Sequence, residues 1–471
     1  MLSRKIAYNT IISAGARIIG LVLSLVIVSF ITRYLGQDGF GNYIIILAFL
    51  YFFVVLADLG LYSICVREIS RPKADERKIV SNAFTLRIFV GLFIFLLAPL
   101  IAYFFPYPIQ VKLGILIGAL GFWLMSNQQV LMGVFQKYLR MDKVALAEFL
   151  GRVVQLGLVV FFVWQKFDFL FIVGALVVGA LVNFLLVFLF SRKYIPISLQ
   201  FDFVFWRSLL KESWPLGLAA IFVMIYFKLD TIMLSLMKDA ADVGIYGLSY
   251  KILESLLFFP AMFVGLIMPL MSKYALSDKA KFKKITQKTL DVLLIFIVPM
   301  LIGTFFLSDE IISLIGGQGF EASAGVLSIL IIATGIIFLG VLFSNMIISL
   351  KEQKCLIYIY GAGAIINLIA NFIFIPKYSY YGAAGTTVLT ELIVTILMLV
   401  VLYKILKKFF SFLLLRKYVL SGLAMAFLLY FLAGWSLLIL IPLAVVVYFG
   451  VLYIIGGFSA KDVLVLVQKH D

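Results

Sequence analysis

Stretches of about 20 apolar residues recur from one end of this chain to the other. A helix of that length crosses a hydrocarbon layer about 30 Å thick. Hydrophobic residues make up 64% of the 471 and charged residues 13%, against about 45–50% and about 25% in an average soluble protein. No soluble core absorbs that excess, so the bilayer is the solvent for most of the chain. Apolar runs separated by charged or turn-rich breaks predict spans near Ile11 to Ile31, Tyr43 to Ile64, Ala83 to Phe105, Val111 to Phe135, Val144 to Trp164 and Phe169 to Phe190. A second set follows near Trp214 to Met237, Gly244 to Met271, Thr289 to Leu307, Ala322 to Leu350, Leu356 to Ile375 and Gly382 to Tyr403. A closing pair, Tyr418 to Gly434 and Trp435 to Gly456, brings the expectation to about fourteen transmembrane helices in an all-α polytopic membrane protein.

A net charge of +16 raises the question of nucleic acid, since clustered Lys and Arg release counterions from phosphates. The distribution answers it. Of the 39 Lys and Arg, 29 fall in the two termini and in the loops after even-numbered spans. Only Arg33, Lys112, Lys166, Lys238 and Lys377 border the other side. That asymmetry records topology, with both termini cytoplasmic in an inner (plasma) membrane. Tyr34, Tyr43, Tyr103, Tyr107, Tyr378 and Tyr380 then fall at the outer interface, where amphipathic rings collect.

Several chemistries are disfavoured. Cys65 and Cys355 lie at span ends assigned to the cytoplasm, where thiols stay reduced. The single histidine, His470, is beside the C-terminus, so no His-based metal cluster or nucleophile–histidine pair forms inside the protein. No Gly-Lys dipeptide occurs, which removes the P-loop and with it that route to ATP. The expectation is a protein with no metal and no cofactor. The predicted outer loops are short, the longest running from Ser308 to about Glu321, which argues against a membrane polymerase or glycosyltransferase.

Two internal echoes suggest a duplication of the kind common in transporters. Gly41-Asn42-Tyr43 opens span two as Gly244-Ile245-Tyr246 opens span eight. Gly174-Ala175 precedes Asn183 by the spacing that separates Gly382-Ala383 from Glu391. The expected division is a six-helix bundle over residues 1–194, a second over 195–408, and two added helices with a cytoplasmic tail over 409–471.

Three ordered groups of motifs span nearly the whole chain. The first is Thr32-Arg33-Tyr34-Leu35-Gly36 with Gly39-Phe40-Gly41-Asn42-Tyr43 and then Asp58-Leu59-Gly60. The second is Lys228-Leu229-Asp230-Thr231 with Val243-Gly244-Ile245-Tyr246, Lys251 and Glu254. The third is Ile375-Pro376, Tyr381-Gly382-Ala383-Ala384-Gly385 and Thr390-Glu391. Together they resemble the polysaccharide transporter branch of the MOP exporter superfamily, the Wzx-type O-antigen and oligosaccharide flippases. That resemblance implies two bundles around a central cavity, opening alternately to each side. It also implies a polyprenyl-diphosphate-linked oligosaccharide as substrate, membrane lipids as surroundings, and polysaccharide polymerase machinery as a partner.

Ionisable side chains within spans cost at least about 2.5–3.5 kcal/mol each unless they face protein or water. Given a diphosphate cargo, the bases are candidates for contacting it: Arg17 midway along span one, which carries no acid, then Lys228, Arg152 and Lys251. Glu148 with Arg152 and Lys251 with Glu254 stand four and three apart, so each pair can close on one helix face. Arg87 and Asp291 fall near cytoplasmic span ends, from which they would snorkel to water. Asp58, Asp230, Glu254 and Glu391 are candidates for binding a coupling H+ or Na+, or simply for balancing charge. Pro215, Pro260, Pro269 and Pro299 are expected to interrupt second-half spans. The rivals are a cation-coupled multidrug exporter, a peptidoglycan lipid-precursor flippase and, from another class, a membrane glycosyltransferase.

Overall fold

A computed structural model of the chain describes residues 2–71, 73–407 and 410–457. The C-terminal tail with His470 lies outside the described residues, and so do the side chains of the first fourteen residues and of Pro215. All regular structure among the described residues is helical. The first unit contains α1 (Leu2–Asp58), α2 (Leu61–Ile69), α3 (Glu76–Tyr103), α4 (Ile109–Lys137), α5 (Met141–Trp164), α6 (Phe169–Ser191) and α7 (Phe203–Met237). Next come α8 (Ala240–Leu256), α9 (Phe258–Ala275), α10 (Lys279–Gly316), α11 (Ala322–Ser349), α12 (Gln353–Leu406), α13 (Leu415–Phe431) and α14 (Leu437–Ile454).

Two of these helices cross twice. α1 breaks at Gly36, whose φ of 65° and ψ of −170° suit a residue without a Cβ. α12 breaks at Ser379, with φ 48° and ψ −129°, and folds back so tightly that Gly382 lies against the Phe374 carbonyl. Ten helices among the described residues are long and apolar enough to cross a membrane, with α8 and α9 running end to end as one of them. Counting α1 and α12 twice and adding α7 and α13 gives fourteen crossings, as the apolar runs predict.

Some boundaries differ from the sequence expectation. α10 is helical from Lys279 to Gly316, so the Lys-rich stretch and Ser308 both lie in helix, and the expected outer loop shrinks to residues 317–321. Backbone hydrogen bonding continues there because neither stretch contains a residue that stops a helix. Pro269 and Pro299 sit inside continuous helices, as do Pro99, Pro376 and Pro442. Pro260 instead follows the α8–α9 junction at Leu257.

The chain packs as two compact units, Met1–Gly244 and Ile245–Asp471. In the first, α4 is central, with α3, α6 and α1 around it, and α5 closes on α6 and α1. One end of this unit is filled by Cys65 and Ile69 of α2, Val80 and Phe84 of α3, Val134 and Phe135 of α4, and Val187 of α6. In the second unit α11 is central between α10, α12 and α9, and α13 and α14 pack on each other and on α10.

α7 packs on α1, α2 and α3. The segment that leads into it explains why. Residues 195–202 run without helix along a polar stripe of α3, and the stripe supplies side-chain partners for their backbone. Ser198 N donates to Ser81 Oγ (3.2 Å), Gln200 N to Thr85 Oγ1 (3.0 Å) and Asp202 N to Asn82 Oδ1 (3.0 Å). Trp206 Nε1 also donates to Asn82 Oδ1 (3.0 Å), and Lys78 pairs with Asp202 at 2.9 Å. Ser81, Asn82 and Thr85 are buried, so losing this strap would leave polar groups unsatisfied. Asp202 then caps α7 by accepting from Phe205 N (2.9 Å).

Candidate functional site

The candidate charges of the first unit fall in three places. On the first arm of α1, Arg17 is exposed, and Gly20 on the same helix face lies under the Arg152 guanidinium of α5. Gly20 has no side chain, which gives Arg152 room to lie across α1. Arg152 donates to Glu148 Oε1 through Nη2 at 3.3 Å, while its Nε is buried with no hydrogen-bond partner. Both side chains of that pair are about a third exposed. Arg152 therefore lies on the α1–α5 seam, one helical turn along α1 from Arg17.

The second place is the end of α1. Arg87 is 0% exposed and does not snorkel, contrary to expectation, because its partners surround it at depth. Nη1 donates to Asp58 Oδ1 (2.7 Å) and to the Ala57 carbonyl (2.6 Å), Nε to Ser126 Oγ (2.8 Å), and Nη2 to Gln129 Oε1 (3.1 Å). Asp58 in turn accepts from Gly60 N (3.2 Å) and Tyr62 N (3.4 Å), holding the turn at Leu59 and Gly60 where both φ values are positive. Asp58 thus has a cation and two backbone donors already. The third place is α7, where Lys228 Nζ stands 5.1 Å from the centre of the Tyr51 ring and Asp230 is buried two residues on.

Two candidate groups belong to the second unit. Lys251 Nζ pairs with Glu254 Oε2 at 2.8 Å, on one helix face as their spacing requires. Glu391 is buried in the second arm of α12 amid a polar set that sequence reading passed over. Asn371 Nδ2 donates to Asn367 Oδ1 (3.0 Å), Asn367 approaches Thr390 Oγ1 (3.5 Å), and Tyr246 Oη lies 3.2 Å from Thr387 Oγ1. The four-residue spacing of Asn367 and Asn371 within an apolar run was the available signal, as was Ser126-Asn127-Gln128-Gln129 in the middle of α4. Asp291, on α10, accepts from Gln287 Nε2 at 3.0 Å.

A polytopic protein whose regular structure among the described residues is all helical has the architecture of a membrane transporter. The chain belongs to the polysaccharide biosynthesis protein family, whose profile matches residues 6–275. The MatE profile matches residues 215–373. One relative, described as the probable low-salt glycan biosynthesis flippase Agl15 of Haloferax volcanii, is 22% identical over 387 residues, 81% of this chain and 80% of its own. Among solved structures, the lipid II flippase MurJ in an inward closed conformation matches with a TM-score of 0.78 at 18% identity, covering 95% of this chain and 98% of that one. An inward-facing multidrug resistance MATE family transporter of the MOP superfamily matches at 0.67 with 12% identity, over 85% and 100%. At those identities the structural likeness is one of fold. The family expected from the motifs is the family found, and its relatives are flippases and transporters, not catalysts.

Proposed function

We propose that this protein is a flippase that moves polyprenyl-diphosphate-linked oligosaccharide from the cytoplasmic to the outer leaflet by alternating access, for assembly of a surface polysaccharide such as O-antigen, capsule or exopolysaccharide. One observation supports the reading: Arg152 lies over Gly20, one helical turn from the exposed Arg17, and holds a buried Nε without a partner. In a medium of reduced dielectric a guanidinium so placed attracts a diphosphate far more strongly than it would in water. Lys228 and Lys251 are the further contacts in this scheme. Asp230, Glu254 and Glu391 are the groups for a coupling H+ or Na+, with Asp58 serving charge balance beside Arg87. The protein works in the inner (plasma) membrane with both termini cytoplasmic, handing cargo to a polysaccharide polymerase.

The test is the leaflet location of lipid-linked oligosaccharide in cells lacking the gene, complemented with the native protein, Arg17→Ala or Arg152→Ala. Accumulation on the cytoplasmic leaflet, cleared only by the native copy, supports both the activity and its basic seam. An unchanged distribution in the absence of other flippases overturns it. Clearance of a peptidoglycan precursor instead would favour the reading suggested by the MurJ-like fold.

A further inference from the structure

The strap over residues 195–202 has a second face. Its backbone nitrogens at Ser198, Gln200 and Asp202 bond to α3, while the alternate side chains of Leu199, Phe201 and Phe203 are exposed, as is Val204 after them. Phe201 joins two different surfaces. On one side its ring centre lies 5.6 Å from that of Phe89 on α3. Phe89 begins an exposed apolar row that continues through Phe93, Leu96 and Leu100, at the spacings of one helix face. On the other side Phe201 lines an open cleft of about 420 Å³ together with Asp75, Arg77, Lys78, Asn82, Gln200 and Asp202. A polar cleft that opens onto an apolar shelf has the shape of an amphiphile's binding site.

The cleft holds two carboxylates, Asp75 and Asp202, and two cations, Arg77 and Lys78, so it is formally neutral. Lys78 is already paired with Asp202 at 2.9 Å, whereas Arg77 is exposed and enters none of the ion pairs among the described residues. Asp75 accepts from Lys78 N through Oδ1 (2.9 Å), and its other oxygen remains an acceptor. Gln200 adds a donor. Asn82 Oδ1 receives two N–H groups, so Asn82 meets Gln200 through Nδ2, and Gln200 presents Oε1 to it (2.9 Å) and keeps its own NH2 for another acceptor. We propose that the cleft and the aromatic shelf beside it bind a phospholipid of the phosphatidylethanolamine type, which carries a phosphate and a primary ammonium in one headgroup, from the leaflet that the charge distribution assigns to the cytoplasm. The phosphate accepts from Arg77 and Gln200, the ammonium donates to Asp75, and the upper parts of the chains lie on Phe201 and Phe89. An anionic headgroup without an ammonium would set a negative charge against the two acids with nothing to offset it. A quaternary ammonium has no N–H to donate. None of these residues is a candidate cargo contact, so the site does not depend on the flippase reading.

The site is read by native mass spectrometry of the full-length protein in detergent, titrated with phosphatidylethanolamine, phosphatidylglycerol or phosphatidylcholine of identical chains. The first phosphatidylethanolamine should bind at least about tenfold more tightly than either of the others, the discrimination that one charge-assisted hydrogen bond supplies. Arg77→Ala should weaken that binding by a similar factor. Asp75→Asn keeps the α3 cap, because Asn caps a helix as well as Asp does, and should remove the preference over phosphatidylglycerol. Lys354→Ala, which deletes an exposed base on α12, should change neither. Soluble glycerophosphoethanolamine at the same concentration should not compete, since it lacks the chains that the shelf receives. The proposal fails if the native protein binds the three lipids equally or prefers phosphatidylglycerol, and this comparison decides even if the variants do not accumulate. It also fails if the preference survives both Arg77→Ala and Asp75→Asn, which would leave the face as one covered by bulk lipid, or if the soluble headgroup competes as well as the lipid.

Discussion

Arg87 illustrates how a single side chain can belong to a structure more than to its cargo. Its guanidinium makes four hydrogen bonds to four residues at 0% exposure, so deleting it leaves Asp58, Ser126 and Gln129 short of a partner. Arg87→Met should destabilise the protein by about 3 kcal/mol, the cost of breaking a buried pair from one side. The double variant Arg87→Met with Asp58→Asn should recover part of that, and thermal unfolding of the purified protein in detergent checks both. Arg17→Ala is expected to behave in the opposite sense, with an unchanged unfolding temperature and lost transport, because Arg17 is exposed. Sequence reading expected Arg87 to snorkel to water, and it is buried instead. The reason is that hydropathy locates a residue along a span, whereas burial depends on which neighbouring helix offers acceptors. The i,i+3 and i,i+4 pairs, Lys251 with Glu254 and Arg152 with Glu148, were legible because one helix sets their geometry.

Between elements, the strap over residues 195–202 is the clearest dependence on a single residue. Asn82 accepts from Asp202 N and Trp206 Nε1 and donates to Gln200 Oε1, so Asn82→Ala should raise amide exchange across residues 198–206 while distant helices stay protected. The Lys78 ammonium beside Asp202 holds its carboxyl below the ordinary carboxylate value. A depressed acid contributes stability above its unfolded value, about 3.9, and loses it as pH falls through the folded value. Protection factors in the strap, exchange rates taken relative to the unstructured chain at the same pH, should therefore match at pH 7 and pH 5.5 and fall only below about pH 4. The break in α12 supports a gain instead: Ser379 holds a φ of 48° with ψ −129°, a conformation that costs a non-glycine residue of order 1–3 kcal/mol. Ser379→Gly should raise the unfolding temperature. None of these joints was readable in advance, because Ile375-Pro376 marked a turn that the chain makes three residues later, and the strap's partners are 115 to 124 residues away.

For the molecule as a whole, the apolar runs were sufficient to predict fourteen crossings, since span length follows from bilayer thickness whatever the neighbours do. The packing of α7 on α1, α2 and α3 was not predictable in that way, because it rests on side-chain-to-backbone bonds and a glycine at position 217 that lies against Leu59. Orientation gives a further expectation. Reporter fusions at residue 194 should be active in the cytoplasm, and fusions at residue 318 should be active only on the outer side, as the 29-to-5 distribution of Lys and Arg requires. If the charge distribution sets the orientation, the turns at Gly36 and Ser379 and the five residues after Gly316 lie on the outer side and leave very little chain there. An antibody, phage or affinity tag approaching from there would find almost no polypeptide to grip. Handles for detecting or capturing this protein are best built onto the opposite face and read after the cells are opened, because the connections there are longer and an insertion does not sit in a turn that two membrane crossings share.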